Sequence, residues 1–186
     1  MPFVQTEFAG LFIFEPKIWE DNRGYFFESY NKKTFSEEGV EINFVQDNQA
    51  SSEFGVIRGL HYQLEPYAQT KLIRVLSGSI LDVVVDIRKD SPTYGKVFSI
   101  ELSAINKKQL MVPKGFAHGY SVISPTAEVF YKCDAYYNKE SEGGIAYNDA
   151  ALQIDWKIPA GKALVSDKDK NYPGILACKN NFVYRG

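Results

Sequence analysis

The chain is short of the side chains that carry proton and metal chemistry near neutral pH: its 186 residues include two histidines and two cysteines. Cys133 and Cys178 lie far apart, with neither a CxxC pair nor Cys/His spacing, so no zinc site or disulfide framework is indicated and free, mostly buried thiols are expected. An excess of charge of one sign is lacking too. Lys and Arg number 21 against 23 Asp and Glu, a formal net charge of −2 with pI near 5.8. With no Lys/Arg stripe to follow a phosphate backbone, nucleic acid is not expected as a partner. No run approaches the ~18 apolar residues of a bilayer span, and Met1-Pro2-Phe3-Val4-Gln5-Thr6-Glu7 has no positive segment ahead of an apolar one. A soluble, cytoplasmic chain without a membrane partner is expected. Repeats, low-complexity tracts and Pro/Ser linkers are also missing, which favours a single domain over residues 1–186.

Aromatics, in contrast, make up 15% of the residues, a usage that suits β-structure first and ligand stacking second. Short β-rich runs recur with turn residues between them. They are Leu11 to Glu15, Gly24 to Tyr30, Ile42 to Asp47, Val56 to Gln63, Lys71 to Leu76, Ile80 to Arg88, Lys96 to Leu102, Gln109 to Val112, His118 to Ile123, Glu128 to Tyr136 and Leu152 to Trp156. This spacing predicts an all-β sandwich or barrel. Lys33 to Gly39 reads as a short helix stopped by its glycine, and the weakly patterned chain from Lys162 onward is expected to wrap the surface. Ser77-Gly78 reads as the tight turn of a hairpin in which Leu76 pairs with Ser79, Ile73 with Asp82 and Lys71 with Val84. That register sets Lys71 near Asp82 and Asp86 on one face, opposite the apolar Leu81, Val83, Val85 and Ile87. The polar face is either solvated or the lining of a cavity, where Lys71 would be a positioned cation.

Both histidines fall in strand-like runs, and imidazole is the side chain best suited to move protons without much tuning. His61 lies in Arg58-Gly59-Leu60-His61-Tyr62-Gln63. His118 ends Pro113-Lys114-Gly115-Phe116-Ala117-His118, the PxGxxH spacing of the second cupin motif. The first cupin motif of metal-binding members holds an H-x-H pair, but here His61-Tyr62-Gln63 supplies one imidazole, too few nitrogen donors for a metal site. A metal-free cupin-like barrel is therefore expected.

From Trp19 to Asp169 the chain resembles the nucleotide-sugar 3,5-epimerases typified by dTDP-4-dehydrorhamnose 3,5-epimerase. The blocks that carry the likeness are DNRGYFFES at 21–29, VQDNQASS at 45–52, GVIRGLHYQ at 55–63, KLIRVLSGSILDVVVDIRKDSPTYG at 71–95, VPKGFAHGYSVIS at 112–124, YKCDAYY at 131–137, GIAYND at 144–149 and SDKD at 166–169. The resemblance implies an all-β cupin-type jelly roll with short peripheral helices. It also implies a homodimer that shares its amino-terminal segment, and a dTDP-4-keto-6-deoxyhexose substrate epimerised at C3 and C5 with no cofactor. A C4 ketone acidifies the hydrogens on both neighbouring carbons, so inversion needs a base on one side of the ring and an acid on the other.

By the same likeness His61 is the base, Asp169 the carboxylate that orients it, Tyr131 the acid and Lys71 the cation at the enolate oxygen; by the register above, Asp82 would hold that ammonium in place. Arg23, Arg58 and Lys168 are candidate phosphate contacts. Phe26 or Trp19, the latter where phenylalanine is usual, would stack on the base. Glu28, Gln46 and Asn48 match nucleotide-facing positions, Tyr137 lines the sugar or phosphate path, and His118 serves in the pocket or structurally. Strict alternation puts Arg58 and His61 on opposite faces of their strand. Either Gly59 marks a bulge that re-aims Arg58, or Arg58 acts at the rim or across a dimer interface. The rival readings are a single-site epimerase and a non-catalytic sugar-nucleotide-binding cupin.

Overall fold

The computed structural model describes residues 2–186. Its strands are β1 (Phe3–Gln5), β2 (Phe12–Phe14), β3 (Trp19–Asp21), β4 (Gly24–Phe26), β5 (Gln46–Glu53), β6 (Val56–Gln63), β7 (Lys71–Ser77), β8 (Ser79–Asp86), β9 (Val97–Ser103), β10 (Gln109–Val112), β11 (Phe116–Val122), β12 (Thr126–Cys133), β13 (Glu142–Gly144) and β14 (Leu164–Val165). Two short α-helices accompany them, α1 (Lys32–Glu37) and α2 (Asp167–Lys170). One sheet runs β1-β2-β10-β7-β12-β5 and the other β13-β6-β11-β8-β9, while β3 and β4 form a separate hairpin. Face to face, the two sheets make the jelly roll of the cupin type. None of the described helices is long and apolar enough to cross a membrane.

Three apolar clusters hold this arrangement. Between the sheets lie Phe8, Leu11, Ile73, Val75, Ile80, Val84, Leu110 and Val129. Outside the second sheet, Leu81, Val83, Val85 and Ile87 pack under Leu152, Trp156, Ile175 and Phe182, so the chain from Lys162 onward does wrap the surface as its weak patterning suggested. Outside the first sheet, Phe12, Phe14, Leu72 and Met111 receive Phe35 of α1. Each fully buried aliphatic side chain of this kind contributes about 1.5–3 kcal/mol relative to exposure.

The expected hairpin is not formed. Ser77-Gly78 does make a tight turn, with Gly78 at φ +74, but β7 and β8 leave it into different sheets. Ile73 pairs with Leu110 and Tyr131, and Asp82 with Tyr120 and Ile100. The physical reason is that β8 is buried on both faces along nearly its whole length. It therefore needs a strand on each edge and layers above and below, which one hairpin partner does not supply. Two further expectations differ. Leu152 to Trp156 is irregular chain whose side chains merely anchor on the second sheet. The strand expected over Ile42 to Asp47 begins instead at Gln46 and runs through the polar Asp47-Asn48-Gln49-Ala50-Ser51-Ser52.

Candidate active site

The far edge of β6 organises the site. At one end β13 pairs with Gln63, Tyr62 and His61, and at the other β14 pairs with Val56 and Ile57. Between them the ladder to β11 slips: His118 faces His61 but Tyr120 faces Arg58, so β6 carries one extra residue. Gly59, at φ +130, occupies this bulge, and a Cβ there would stand 2.5 Å from the Gly119 Cα, so glycine is required. The extra residue reverses the alternation, and Arg58 and His61 line the same cavity. Of the two arrangements the sequence leaves open, this is the one in which an irregularity at Gly59 re-aims Arg58.

Asp169 fills the gap in the edge. Its carboxylate receives the Gly59 N–H at 3.1 Å on Oδ2 and stands 2.7 Å from His61 Nε2 through Oδ1, although 108 positions separate the two residues. Ser166 caps α2 by accepting the Asp169 N–H at 3.1 Å, which fixes the carboxylate. Burial works to raise the Asp169 pKa, but its contacts with His61, Gly59 and Ser166 outweigh it and hold the carboxyl below its ordinary range. A carboxylate kept ionised can only accept, so Nε2 of His61 is the donor of this bond. The imidazole is 32% exposed, open to the cavity.

The first sheet supplies the opposite wall. Lys71 of β7 and Tyr131 of β12 point inward from adjacent strands, with Lys71 Nζ 5.9 Å from the centre of the Tyr131 ring. Burial lowers the Lys71 pKa, only partly offset by Cys133, Asp82 and Glu142, and burial raises that of the Tyr131 phenol. His61 and Tyr131 thus stand on opposite sheets. Together with Arg58, His118, Lys168 and Asp169 they line one cavity of about 700 Å³.

Asp82 takes a different partner from the one expected. It is fully buried and bonds His118 Nε2 through both oxygens at 2.9 and 3.0 Å, so it orients His118 rather than gripping Lys71 or touching a ligand. The cause is the broken hairpin: β8 neighbours β11, not β7.

A second opening of about 340 Å³ meets the first at His61, Lys71 and Tyr131 and is lined by Gln46, Asn48 and Tyr137. Gln46 accepts the Tyr137 N–H and donates to Asn48, both at 3.1 Å. Lys168 pairs with Glu142. Four expected contacts are not brought to this cavity by their own chain. Trp19, Arg23 and Phe26 sit on the β3–β4 hairpin, where Arg23 pairs with Asp21 and the Trp19 and Phe26 rings lie 6.0 Å apart. Glu28 accepts from Asn31 at 3.1 Å beside a separate hollow.

A family model described as dTDP-4-dehydrorhamnose 3,5-epimerase matches residues 5–176. The chain belongs to the dTDP-4-dehydrorhamnose 3,5-epimerase family. A relative of that name from Shigella flexneri is 52% identical over 172 residues, spanning 92% of this chain and 94% of the relative. The crystal structure of the Elizabethkingia anophelis epimerase superposes with a TM-score of 0.88 at 52% identity, covering 92% and 94% of the two chains. That of a Legionella pneumophila 3,5-epimerase in complex with dTDP-4-keto-L-rhamnose gives a TM-score of 0.90 at 45% identity, covering 94% and 93%.

Some residues that line or buttress the site of this epimerase-family chain were not singled out from its sequence. Ser52 accepts both Nε and Nη2 of Arg58 at 3.1 Å, and Tyr120 lines the main cavity. Tyr172 sets its ring edge-on to His61, centroids 5.8 Å apart. Ser52 and Tyr120 read as ordinary strand residues, and Tyr172 lies in unpatterned chain. The one available signal was alternation, which places Tyr120 on the His118 face of β11.

Proposed function

We propose that the chain is a cofactor-free isomerase that epimerises dTDP-4-dehydro-6-deoxy-D-glucose at C3 and C5 to dTDP-4-dehydro-L-rhamnose, working in the cytoplasm as a homodimer. The observation that carries this reading is the His61–Asp169 pair facing Lys71 and Tyr131 across one cavity. Nδ1 of His61 takes a hydrogen from the carbon beside the C4 ketone, and Asp169 stabilises the imidazolium that results. Lys71 holds the enolate oxygen. A preorganised donor in such a site is worth on the order of 3 kcal/mol in the barrier. Tyr131 returns a proton from the other face, and solvent then reprotonates the phenolate and removes the imidazolium proton.

Arg58 and Lys168 suit the pyrophosphate, and Gln46, Asn48 and Tyr137 suit the remainder of the nucleotide. Trp19, Arg23, Phe26 and Glu28 reach a site only if one protomer lends its amino-terminal hairpin to its partner. The exposure of Phe26 at 66% supports that exchange. Incubation with the keto-sugar nucleotide in deuterated water tests the reaction, with label expected at both C3 and C5. Label at one carbon would identify a single-site epimerase. No label from folded protein would refute catalysis.

A further inference from the structure

Among the described residues, the buried side-chain polar atoms left without a hydrogen-bond partner are the hydroxyls of Tyr120 and Tyr172. Tyr120 is 5% exposed and lines the main cavity. A buried donor without an acceptor costs about 1–3 kcal/mol, so such a group persists where something outside the folded chain completes it. Ser52 is the nearest side chain able to pair with it, but its Oγ already accepts two N–H groups from Arg58 and falls outside hydrogen-bond geometry with the phenol; Arg58 can only donate, and Asp82 is bonded to His118.

We infer that Tyr120 is a further substrate contact, its hydroxyl donating a hydrogen bond to an oxygen of the bound hexose. This rests on the epimerase reading above. Tyr120 pairs across the strands with Arg58, but Arg58 is itself a donor to Ser52, and Tyr120 shares its face of β11 with His118, the cross-strand partner of His61, and stands beside Tyr131. On this placement the acceptor is assigned to the ring that carries the reacting carbons, and the TDP measurement below separates it from the phosphates. Burial raises the Tyr120 pKa to about 12, which keeps the phenol a donor throughout the working pH range.

Tyr120→Phe removes the hydroxyl and nothing else. The expected result has three parts: a thermal midpoint of the free protein equal to or above wild type, kcat/KM for the keto-sugar nucleotide lower by roughly tenfold, and unchanged thermal stabilisation by TDP, which has no hexose. A kcat/KM within twofold of wild type would overturn the inference. So would a fall accompanied by a lower midpoint, which marks a structural tyrosine. Loss of TDP stabilisation would place the acceptor on the phosphates and overturn the hexose assignment. If wild type itself exchanged no hydrogen, the catalytic reading alone would fail. The inference would then be decided by direct binding of the keto-sugar nucleotide, which the same variant should weaken by roughly tenfold.

Discussion

In the proposed reaction the two nitrogens of the His61 ring have different tasks, and the carboxylate at Nε2 divides them. Asp169→Asn replaces an acceptor that fixes the Nε2 proton with a group that can also donate. Hydrogen exchange at C3 and C5 should fall by about 10²- to 10⁴-fold, while TDP still raises the thermal midpoint. Acid stability moves with it. The folded pKa of Asp169 lies below its unfolded value near 3.9. The stabilisation is therefore present above that unfolded value and is lost as pH falls through the folded one. Asp169→Asn should have a flatter stability curve than wild type below about pH 4 in urea titrations. Lys71 shifts in the opposite sense for a cation: burial lowers its pKa, so the ammonium is lost on the alkaline side earlier than from an ordinary lysine near 10.4. The kcat/KM profile should decline from below that value, and Tyr131→Phe should leave the limb in place, because the Tyr131 phenol is shifted upward. His61 was legible because imidazole is scarce in this sequence. Asp169 was legible through family likeness alone, since its polar neighbourhood reads as a surface turn. The partner of Asp82 was misread because a register count presumes that consecutive strands pair.

At the scale of elements, the bulge in β6 does what no single side chain does: it turns Arg58 and His61 toward one cavity. Gly59→Ala should cost at least about 2 kcal/mol in urea unfolding, because the new Cβ meets Gly119 and the backbone lies at φ +130. It should also lower kcat/KM beyond the loss of folded protein. A variant of wild-type stability and activity would show that the bulge is dispensable. Nine of the eleven expected strands overlap strands within the two sheets, because alternation and turn residues report extended chain well. They do not report which sheet a strand joins, and for that reason β7 and β8 were paired in error. The polar run of β5 was largely missed, because it is an edge strand with an exposed outer face and Asn48, Ala50 and Ser52 on the inner one, so apolar alternation is absent.

At the scale of the whole molecule, the β3–β4 hairpin leaves Trp19, Tyr25 and Phe26 exposed with no core of their own. Light scattering should give about twice the 21.1 kDa chain mass. Phe26→Glu should both shift the protein toward monomer and weaken the stabilisation by TDP; a dimer that binds TDP normally despite the change would argue against a shared site. His61 and Asp169 are a pairing across most of the chain, joined only when α2 docks beside β6. A chain that ends before residue 169 has an imidazole with nothing to orient it. The stretch that brings in this carboxylate also lays Ile175 and Phe182 over the outer face of the second sheet, so a proteolytic nick that frees the tail would silence the enzyme and bare that apolar face together.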